Sequence, residues 1–534
     1  MSTVTLNYEA AIPRLGAAIV VLWLSWKAWA FLKPRKEYTL RAVAIVVLGD
    51  IGRSPRMMYH AESFAENDFF TDLIGYGGSA PIPSLERPKV KIHYLPEPPH
   101  WLRALPFIIS APIKVVLQVL AIFIELFTLP NPPEFILVQN PPSIPTLAIV
   151  WLVGRIRGSK VIIDWHNLGY SILAMRFPNS GERHPLVRIA KWFEATFGQK
   201  AYAHLFVTQA MHDFLVKEWD LQGIKVVLHD RPPRRFHQTT PQGIHELFAI
   251  KLNKSLSAQP ALTGFLPPSD PPYSSAFTAT NASAADVRIG GDAPAPPPPS
   301  SVLDPIYSEV QAPFLRADRP ALLVSSTSWT PDEDFGILLA ALGAYDARAR
   351  RAGAALPKLL VVLTGKGPLR ERYMAEAAAL QKGWRWVRCV SMWLEAEDYP
   401  VLLGAADLGI CLHASSSKLD LPMKVVDMFG CALPVCALDF DCLGELVKDG
   451  KNGLIFKDAA QLAEQIETLL TGFPNCPRLS DLRSYLLPAT ERPTSPPMYA
   501  SSQERSDDLW ETWDENWARF VRPLILRDVR RNET

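Results

Sequence analysis

The sequence predicts an α/β chain of two doubly wound parallel-sheet domains, preceded by a membrane-spanning N-terminal helix. Three observations carry this. Short apolar runs rich in β-branched residues alternate with helical stretches in two separate blocks of the chain. A Pro-, Ser- and Ala-rich block parts them. Ahead of both lies Gly16–Leu32, GAAIVVLWLSWKAWAFL, whose one charge is Lys27. Buried parallel strands read as continuous apolar runs, and strand–helix alternation is the mark of crossover-connected sheets. At 534 residues the chain is also too long for one core.

The N-terminal run comes first. Spanning a bilayer takes about 20 apolar residues, and Gly16–Leu32 with its flanks meets that length, so a span over 13–32 is expected within an anchor of 1–36. Lys33, Arg35, Lys36 and Arg41 follow it, which by the positive-inside rule puts the rest of the chain in the cytosol. A cleaved signal peptide fits less well. The apolar stretch is long, no small-residue cleavage site follows, and the basic flank is on the wrong side.

The first domain is expected over 37–236. Arg41–Leu48 is a strand-like run ending at Gly49, and Lys89–Leu95, Glu134–Gln139, Ser159–Asp164 and His204–Thr208 resemble it. Pro142–Arg157 and Pro185–Lys200 read as helices between them. Leu102–Leu129 breaks the rhythm: it is strongly apolar but holds Pro106, Pro112, Lys114, Gln118 and Glu125. A second span there would put strands of one sheet on opposite sides of a membrane. A helix or helical hairpin lying in the cytosolic leaflet is expected instead, with an inter-strand core helix as the alternative.

Residues 237–315 include Ala293–Ser300, APAPPPPS, and offer little to bury, so a mostly disordered insertion is expected. The second domain is expected over 316–490. Its strands are Ala321–Ser325, Leu359–Leu363, Trp386–Val390, Asp407–Leu412 and Leu433–Ala437. Its helices are Asp334–Arg351, Pro368–Gln381, Met423–Gly430 and Ala459–Leu470. Within 505–530, Leu509, Trp513, Trp517 and Phe520 recur at helical spacing, which predicts an amphipathic helix docked on the body.

Composition excludes some classes. Lys+Arg number 55 and Asp+Glu 54, for a net charge of +1. That balance argues against nucleic-acid binding through bulk charge. The six cysteines form no CxxC pair, so free thiols in a reducing compartment fit better than a disulfide framework or a zinc site.

Doubly wound domains bind ligands at the C-terminal ends of their strands, and four polar segments fall there. Gly49-Asp50-Ile51-Gly52-Arg53-Ser54 follows the first strand. Its glycines let backbone approach a ligand, and Arg53 could add a bidentate contact; a tight turn explains the glycines equally well. Asp164-Trp165-His166-Asn167 ends another strand, where His166 could orient a substrate or move a proton, or simply pack. Ser326 and Thr327, then Gly365-Lys366-Gly367, end two strands of the second domain. Hydroxyls, amides and a lysine can hold a diphosphate without metal; the bland reading is two ordinary turns. The fourth segment is Ser415–Val435. Pro422 opens a helix, and Lys424 and Asp427, three apart, share a face near its N-terminus. A lysine there can hold phosphate and an acid can accept sugar hydroxyls.

That fourth segment resembles the donor loop of retaining GT-B glycosyltransferases, in which two acids lie eight residues apart. Asp427 matches the second acid. The first falls on Leu419, beside Asp420, so the retaining pattern is incomplete. GDIGRSPRM, DWHNLGYSIL, HDRPP, SSTSWTPDEDF and SSSKLDLPMKVVDMFGCALPVCA together resemble the chitobiosyldiphosphodolichol β-mannosyltransferase family, over about 40–235 and 318–470. The resemblance implies a GT-B fold, two Rossmann-like domains facing a cleft. It implies inverting transfer of mannose from GDP-mannose to GlcNAc2-PP-dolichol through a β-1,4 bond, at the cytosolic face of the endoplasmic reticulum membrane. Lipid of that membrane, and other early mannosyltransferases, are the further partners expected; nucleic acid is not.

In this frame Lys366, Lys424, Ser326 and Thr327 are expected to hold the diphosphate, and Asp427 and Asp420 to bind ribose or mannose hydroxyls. Gly49, Gly52, Arg53 and Asn167 are expected on the acceptor side, and His166 or Asp50 as the catalytic base, with Asp164 orienting His166. No metal site is expected; a divalent cation stays open as a cofactor without a visible ligand set. Asp332 and Asp334 read as partners of a helix dipole. Two other readings remain: a catalytically silent scaffold for other lipid-linked transferases, and a lipid-linked transferase with another donor or linkage.

Overall fold

The computed structural model describes residues 41–177, 180–280, 312–331, 333–413, 419–487 and 510–526. The expected membrane span lies outside them. Two compact units result, one of Met1–Leu228 with Arg519–Thr534, the other His229–Ala518.

The first unit holds β1 (Ala42–Asp50), α1 (Pro55–Glu66), β2 (Phe70–Tyr76), β3 (Val90–Tyr94), α2 (Phe107–Thr128), β4 (Phe135–Asn140) and α3 (Thr146–Arg157). It continues through β5 (Lys160–Trp165), α4 (Gly169–Ala174), α5 (Pro185–Gly198), β6 (Lys200–Phe206), α6 (Gln209–Trp219) and β7 (Gln222–Val227). The strands form one sheet in the order β3-β2-β1-β4-β5-β6-β7, with every pairing parallel. Central β1 explains its own sequence: Ala42 to Val47 are at most 1% exposed, so both faces must be apolar. Strand order reverses between β1 and β4, which opens a crevice at their C-terminal ends. The Gly49–Ser54 loop lies at that switch point.

β2 escaped the sequence reading because Thr71, Asp72 and Gly75 interrupt its apolar run. Asp72 is occupied by His93 of β3, whose Nε2 lies 2.8 Å from it, while His93 Nδ1 lies 2.6 Å from Glu125 of α2. Segment 102–129, expected as a leaflet helix or hairpin, contains one continuous helix. Ile122 and Leu126 are buried, and Ile109, Val116, Leu120 and Ile124 are exposed. Spaced seven, four and four apart, the latter form an apolar stripe along one helix face. Among the described residues no helix is long and apolar enough to cross a membrane.

The second unit carries β10 (Ala321–Ser326), α9 (Phe335–Ala352), β11 (Leu359–Thr364), α10 (Arg370–Leu380), β12 (Val387–Met392), α11 (Asp398–Ala405) and β13 (Leu408–Cys411), after the short elements described below. Then come α12 (Met423–Gly430), β14 (Val435–Leu438), β15 (Gly453–Phe456), α13 (Ala459–Leu470) and α14 (Pro477–Leu486). Its sheet order is β12-β11-β10-β13-β14-β15, again all parallel. The switch point lies between β10 and β13. All six cysteines are unpaired and buried in this unit.

Residues 237–315 are expected to be mostly disordered, and here the fold differs over 237–280. Thr240 caps α7 (Pro241–His245), which passes through a π-helical turn at Glu246–Lys251 into α8 (Asn253–Ser257). β8 (Thr278–Ala279) and β9 (Phe314–Leu315) pair antiparallel. Low hydrophobic density misled the reading: Ile244, Leu247, Phe248, Leu256, Phe265 and Phe277 are few but all buried. The second unit also fixes the segment by backbone contacts. Lys358 Nζ donates to the Phe265 carbonyl at 3.1 Å and Arg388 Nε to that of Ala261 at 2.7 Å. Residues 281–311 lie outside the described residues.

The tail forms α15 (Trp513–Phe520) and α16 (Arg522–Leu526), with Trp513, Trp517, Leu524 and Ile525 buried. In the first unit Tyr202 and Arg41 donate to the Leu524 and Ile525 carbonyls.

Candidate functional site

Each unit gathers polar side chains at the C-terminal ends of its strands, and each cluster stands on its own. In the first unit Asp164, the penultimate residue of β5, is fully buried. Arg56 from the first turn of α1 grips it bidentately, Nε to Oδ2 at 2.8 Å and Nη2 to Oδ1 at 3.0 Å. His60, one turn on, places Nε2 at 3.2 Å from Oδ2, and His166 Nε2 lies 2.8 Å from the same oxygen. Burial opposes ionisation of Asp164, but the Arg56 and His166 charges and the imidazole hydrogen bonds hold it well below the usual carboxylate range. Burial holds His60 neutral to lower pH than usual, against the pull of Asp164. An ionised carboxylate only accepts hydrogen bonds. In its neutral form His166 therefore carries its proton on Nε2, and Nδ1 is left as an acceptor. The His166 side chain is 21% exposed, Asp164 and His60 not at all.

Asp50 is placed differently. Its carboxylate accepts from Gly52 N at 3.0 Å and from the Ser79 amide and hydroxyl at 3.0 and 2.8 Å. Burial raises its pKa, but the Ser79 and Gly52 bonds and the Arg53 charge outweigh that and lower it. Gly52 is required here, because a Cβ would stand 2.4 Å from the Ser79 carbonyl oxygen. A Cβ at Gly49 would meet Val47 Cγ1 at an ordinary 4.0 Å, so no close approach demands glycine there. Arg53 is exposed at the end of the turn. Asn167 is half-buried, its Oδ1 accepting from the next amide, Leu168 N, at 2.7 Å.

In the second unit the loops after β10, β11 and β13 and the start of α12 come together. Ser326 accepts from the Tyr399 hydroxyl at 3.0 Å, and that hydroxyl lies 3.5 Å from Asp427 Oδ2. Thr327 donates to Glu333, which also accepts from Ser328 N and Trp329 N at 3.0 and 3.2 Å and pairs with Lys424. Glu333 is 2% exposed. Burial lifts Asp427 to about 7, Arg235 and Tyr399 lower it, and Asp230 raises it. Burial and then the Asp427 charge push Tyr399 well above its ordinary value. Lys366 is exposed, its Nζ 3.7 Å from the ring centre of Trp393. Its flanking glycines are steric necessities: a Cβ at Gly365 or Gly367 would lie 1.8 Å from the Thr327 or Ser328 carbonyl oxygen. Close approach of the β10 and β11 loops thus selects the Gly-Lys-Gly sequence.

Asp420 is half-buried shortly before α12; residues 414–418 lie outside the described residues. Asp334 caps α9, accepting from Gly336 N at 2.8 Å. Among the described residues no three His, Cys, Asp or Glu side chains cluster as metal ligands. Sequence reasoning missed Glu333 and Tyr399. Glu333 stood between two aspartates that read as helix-dipole partners, and Tyr399 sits in a helix remote in sequence from the motifs.

Comparison with known proteins adds the following. Residues 52–230 match the family model "Glycosyl transferase 4-like domain" and 322–472 match "Glycosyl transferases group 1". The chain is 42% identical over 523 residues to the chitobiosyldiphosphodolichol beta-mannosyltransferase of Mus musculus, covering 97% of this chain and 95% of that one. It is 42% identical to the Homo sapiens protein of the same name, covering 94% and 95%. It is 40% identical to "UDP-glycosyltransferase TURAN" of Arabidopsis thaliana, covering 91% and 97%. Among solved structures, sucrose-phosphate synthase from Thermosynechococcus elongatus aligns with a TM-score of 0.53 at 12% identity, over 92% of this chain and 98% of that one. The glycosyltransferase WaaG aligns at 0.51 with 12% identity, over 90% and 99%. These likenesses identify the fold as GT-B.

Proposed function

The chain belongs to the chitobiosyldiphosphodolichol beta-mannosyltransferase family, and we propose from that premise how its residues divide the work of the reaction. It is a glycosyltransferase that adds β-linked mannose to GlcNAc2-PP-dolichol. The observation carrying this is identity of 42% over nearly the whole of both chains.

The donor is GDP-mannose and the transfer inverts, forming a β-1,4 bond. An inverting transfer needs one base for the acceptor hydroxyl and positive charge for the departing diphosphate. His166 is the base: its Nδ1 takes the hydroxyl proton as oxygen bonds to mannose C1 and the C1–phosphate bond breaks. Asp50 spends its carboxylate on Gly52 and Ser79, which favours His166 over it. Lys366, Lys424, Ser326 and Thr327 bind the diphosphate. Asp427 and Asp420 accept sugar hydroxyls, while Gly49, Gly52, Arg53 and Asn167 serve the acceptor side.

An N-terminal span over 13–32 would hold the enzyme at the endoplasmic reticulum membrane with both units cytosolic. The exposed stripe of α2 supports a second, peripheral contact with the bilayer. Chitobiose on phytanyl diphosphate, offered GDP-mannose or UDP-sugars, tests the reading. The expected product, by mass spectrometry, is one added hexose from GDP-mannose that a β-specific mannosidase removes. An α-linked product, or transfer from a UDP-sugar alone, would refute it. His166→Ala is expected to lower turnover about 100-fold or more with GDP affinity unchanged; wild-type turnover would return His166 to packing.

A further inference from the structure

The buried arginine behind the His166 loop bears on the reaction although it cannot touch a substrate. Arg56 is 4% exposed and Asp164 fully buried. Burying an ion pair costs desolvation that apolar packing would avoid, so the use made of the carboxylate's remaining capacity is informative. The second unit offers a contrast. There Arg319 also grips Asp407 with two bonds, from Nη1 and Nη2 at 2.7 and 2.8 Å, and Asp407 accepts a further bond from the Leu322 amide. That pair ties two strands together. Asp164 has two imidazoles around Oδ2 instead, and one of them reaches solvent.

The contributing elements matter too. Arg56 and His60 lie one turn apart on α1, the helix that follows the Gly49–Ser54 loop at the switch point. His166 follows β5. The pair therefore links two motifs some hundred positions apart through one oxygen atom.

We propose that Arg56, seconded by His60, is a positioning residue for His166. Arg56 keeps Asp164 ionised and fixes its rotation by the two-pronged grip, so that Oδ2 is held toward His166 Nε2. That contact fixes both the ring orientation and the tautomer of the neutral ring, and it leaves Nδ1 as the acceptor on a side chain that reaches solvent. His60, fully buried, places Nε2 3.2 Å from the same oxygen and limits the room in which the carboxylate can swing. A lysine at 56 preserves the charge but not the planar fork, so the carboxylate gains a rotation that His166 must follow. The inference rests on the reading of His166 as the base.

The test uses full-length enzyme in detergent, with GDP-mannose and the phytanyl-linked acceptor, comparing Arg56→Lys, His60→Gln, His166→Ala and Arg56→Lys/His166→Ala. Misplacing a catalytic group by about 1 Å can cost about 100-fold, so a smaller displacement is expected to cost about 10–100-fold. Arg56→Lys is therefore expected to lower kcat by that factor, with KM for both substrates and calorimetric GDP affinity within about twofold of wild type. In the His166→Ala background the same change should alter kcat less than about twofold, since its route of action is gone. Should Arg56→Lys fail to fold, His60→Gln is read the same way, with a smaller expected loss. Wild-type kcat in both variants would overturn the proposal, as would an Arg56→Lys loss that persists in full on top of His166→Ala. Wild-type turnover of His166→Ala alone would instead remove the base assignment, and the positioning role with it.

Discussion

A carboxylate that burial pushes up to about 7, as at Asp427, takes its charge in the folded chain only at a pH where the unfolded chain has long lost its proton. The sign follows from that. Between about pH 4 and 7 the native state holds a proton that the unfolded state does not, so Asp427 costs stability increasingly as pH rises, and the cost is complete above 7. Asp427→Asn should then stabilise by on the order of 1–3 kcal/mol at about pH 8, with the gain fading toward pH 4; urea melts at several pH values measure it, and a gain independent of pH would contradict it. Lys424 carries a different liability. Its partner Glu333 is 2% exposed, so Lys424→Ala leaves a buried carboxylate supported, among the described residues, by Thr327, Ser328 and Trp329. We expect a loss of about 1–3 kcal/mol in stability and about 10-fold or more in GDP affinity; unchanged affinity by calorimetry would take Lys424 out of the donor site. The sequence marked Lys424 and Asp427 by type and spacing. It could not mark Glu333 or Tyr399, because an acid beside a helix start and a tyrosine in a helix look like capping and packing until the chain folds.

Among the elements, those with unmixed signals were readable. Met423–Gly430 and Ala459–Leu470 are helices at the bounds the periodicity suggests. β15 went unread because Gly453–Phe456 is four residues long and starts on glycine. The segment 241–280 was misread because composition averages over a stretch, whereas a small core needs only a few well-placed side chains. Its β8–β9 pairing has a use. Ala279 and Phe314 are direct antiparallel partners, so the ends of 281–311 are already held together. Replacing 281–311 with a short Gly/Ser turn should leave turnover within about twofold; a large loss would give that segment a role in the reaction. For α2, serine at Val116, Leu120 and Ile124 together should reduce vesicle flotation of a chain lacking 1–36 by about 10-fold, since these side chains are exposed. Undiminished flotation would dismiss α2 as a membrane contact.

At the scale of the whole molecule the chain is two compact units, each with its own parallel sheet and its own strand-order reversal. Separate cores predict separable unfolding. GDP at about 100 times its dissociation constant adds about 2.7 kcal/mol to whatever binds it, so calorimetry should show the transition of the His229–Ala518 unit rising while the other stays; a shift in both alike would mean that the units melt as one. Both switch points were foreseeable, since alternation implies parallel sheets and the polar motifs fall at strand ends. Strand order was not, because it is decided by which apolar strands take the centre. Lys366 and Trp393 leave one more thing to use. An ammonium 3.7 Å above an indole that is 58% exposed perturbs the emission of that ring. If Lys366 leaves the ring for phosphate when donor arrives, the indole changes colour and intensity. Among 15 tryptophans, the difference between wild type and Trp393→Phe isolates that signal, so a label-free optical gauge of donor occupancy is expected in a stopped-flow cell; a difference that GDP-mannose leaves unchanged would take Lys366 out of the donor site.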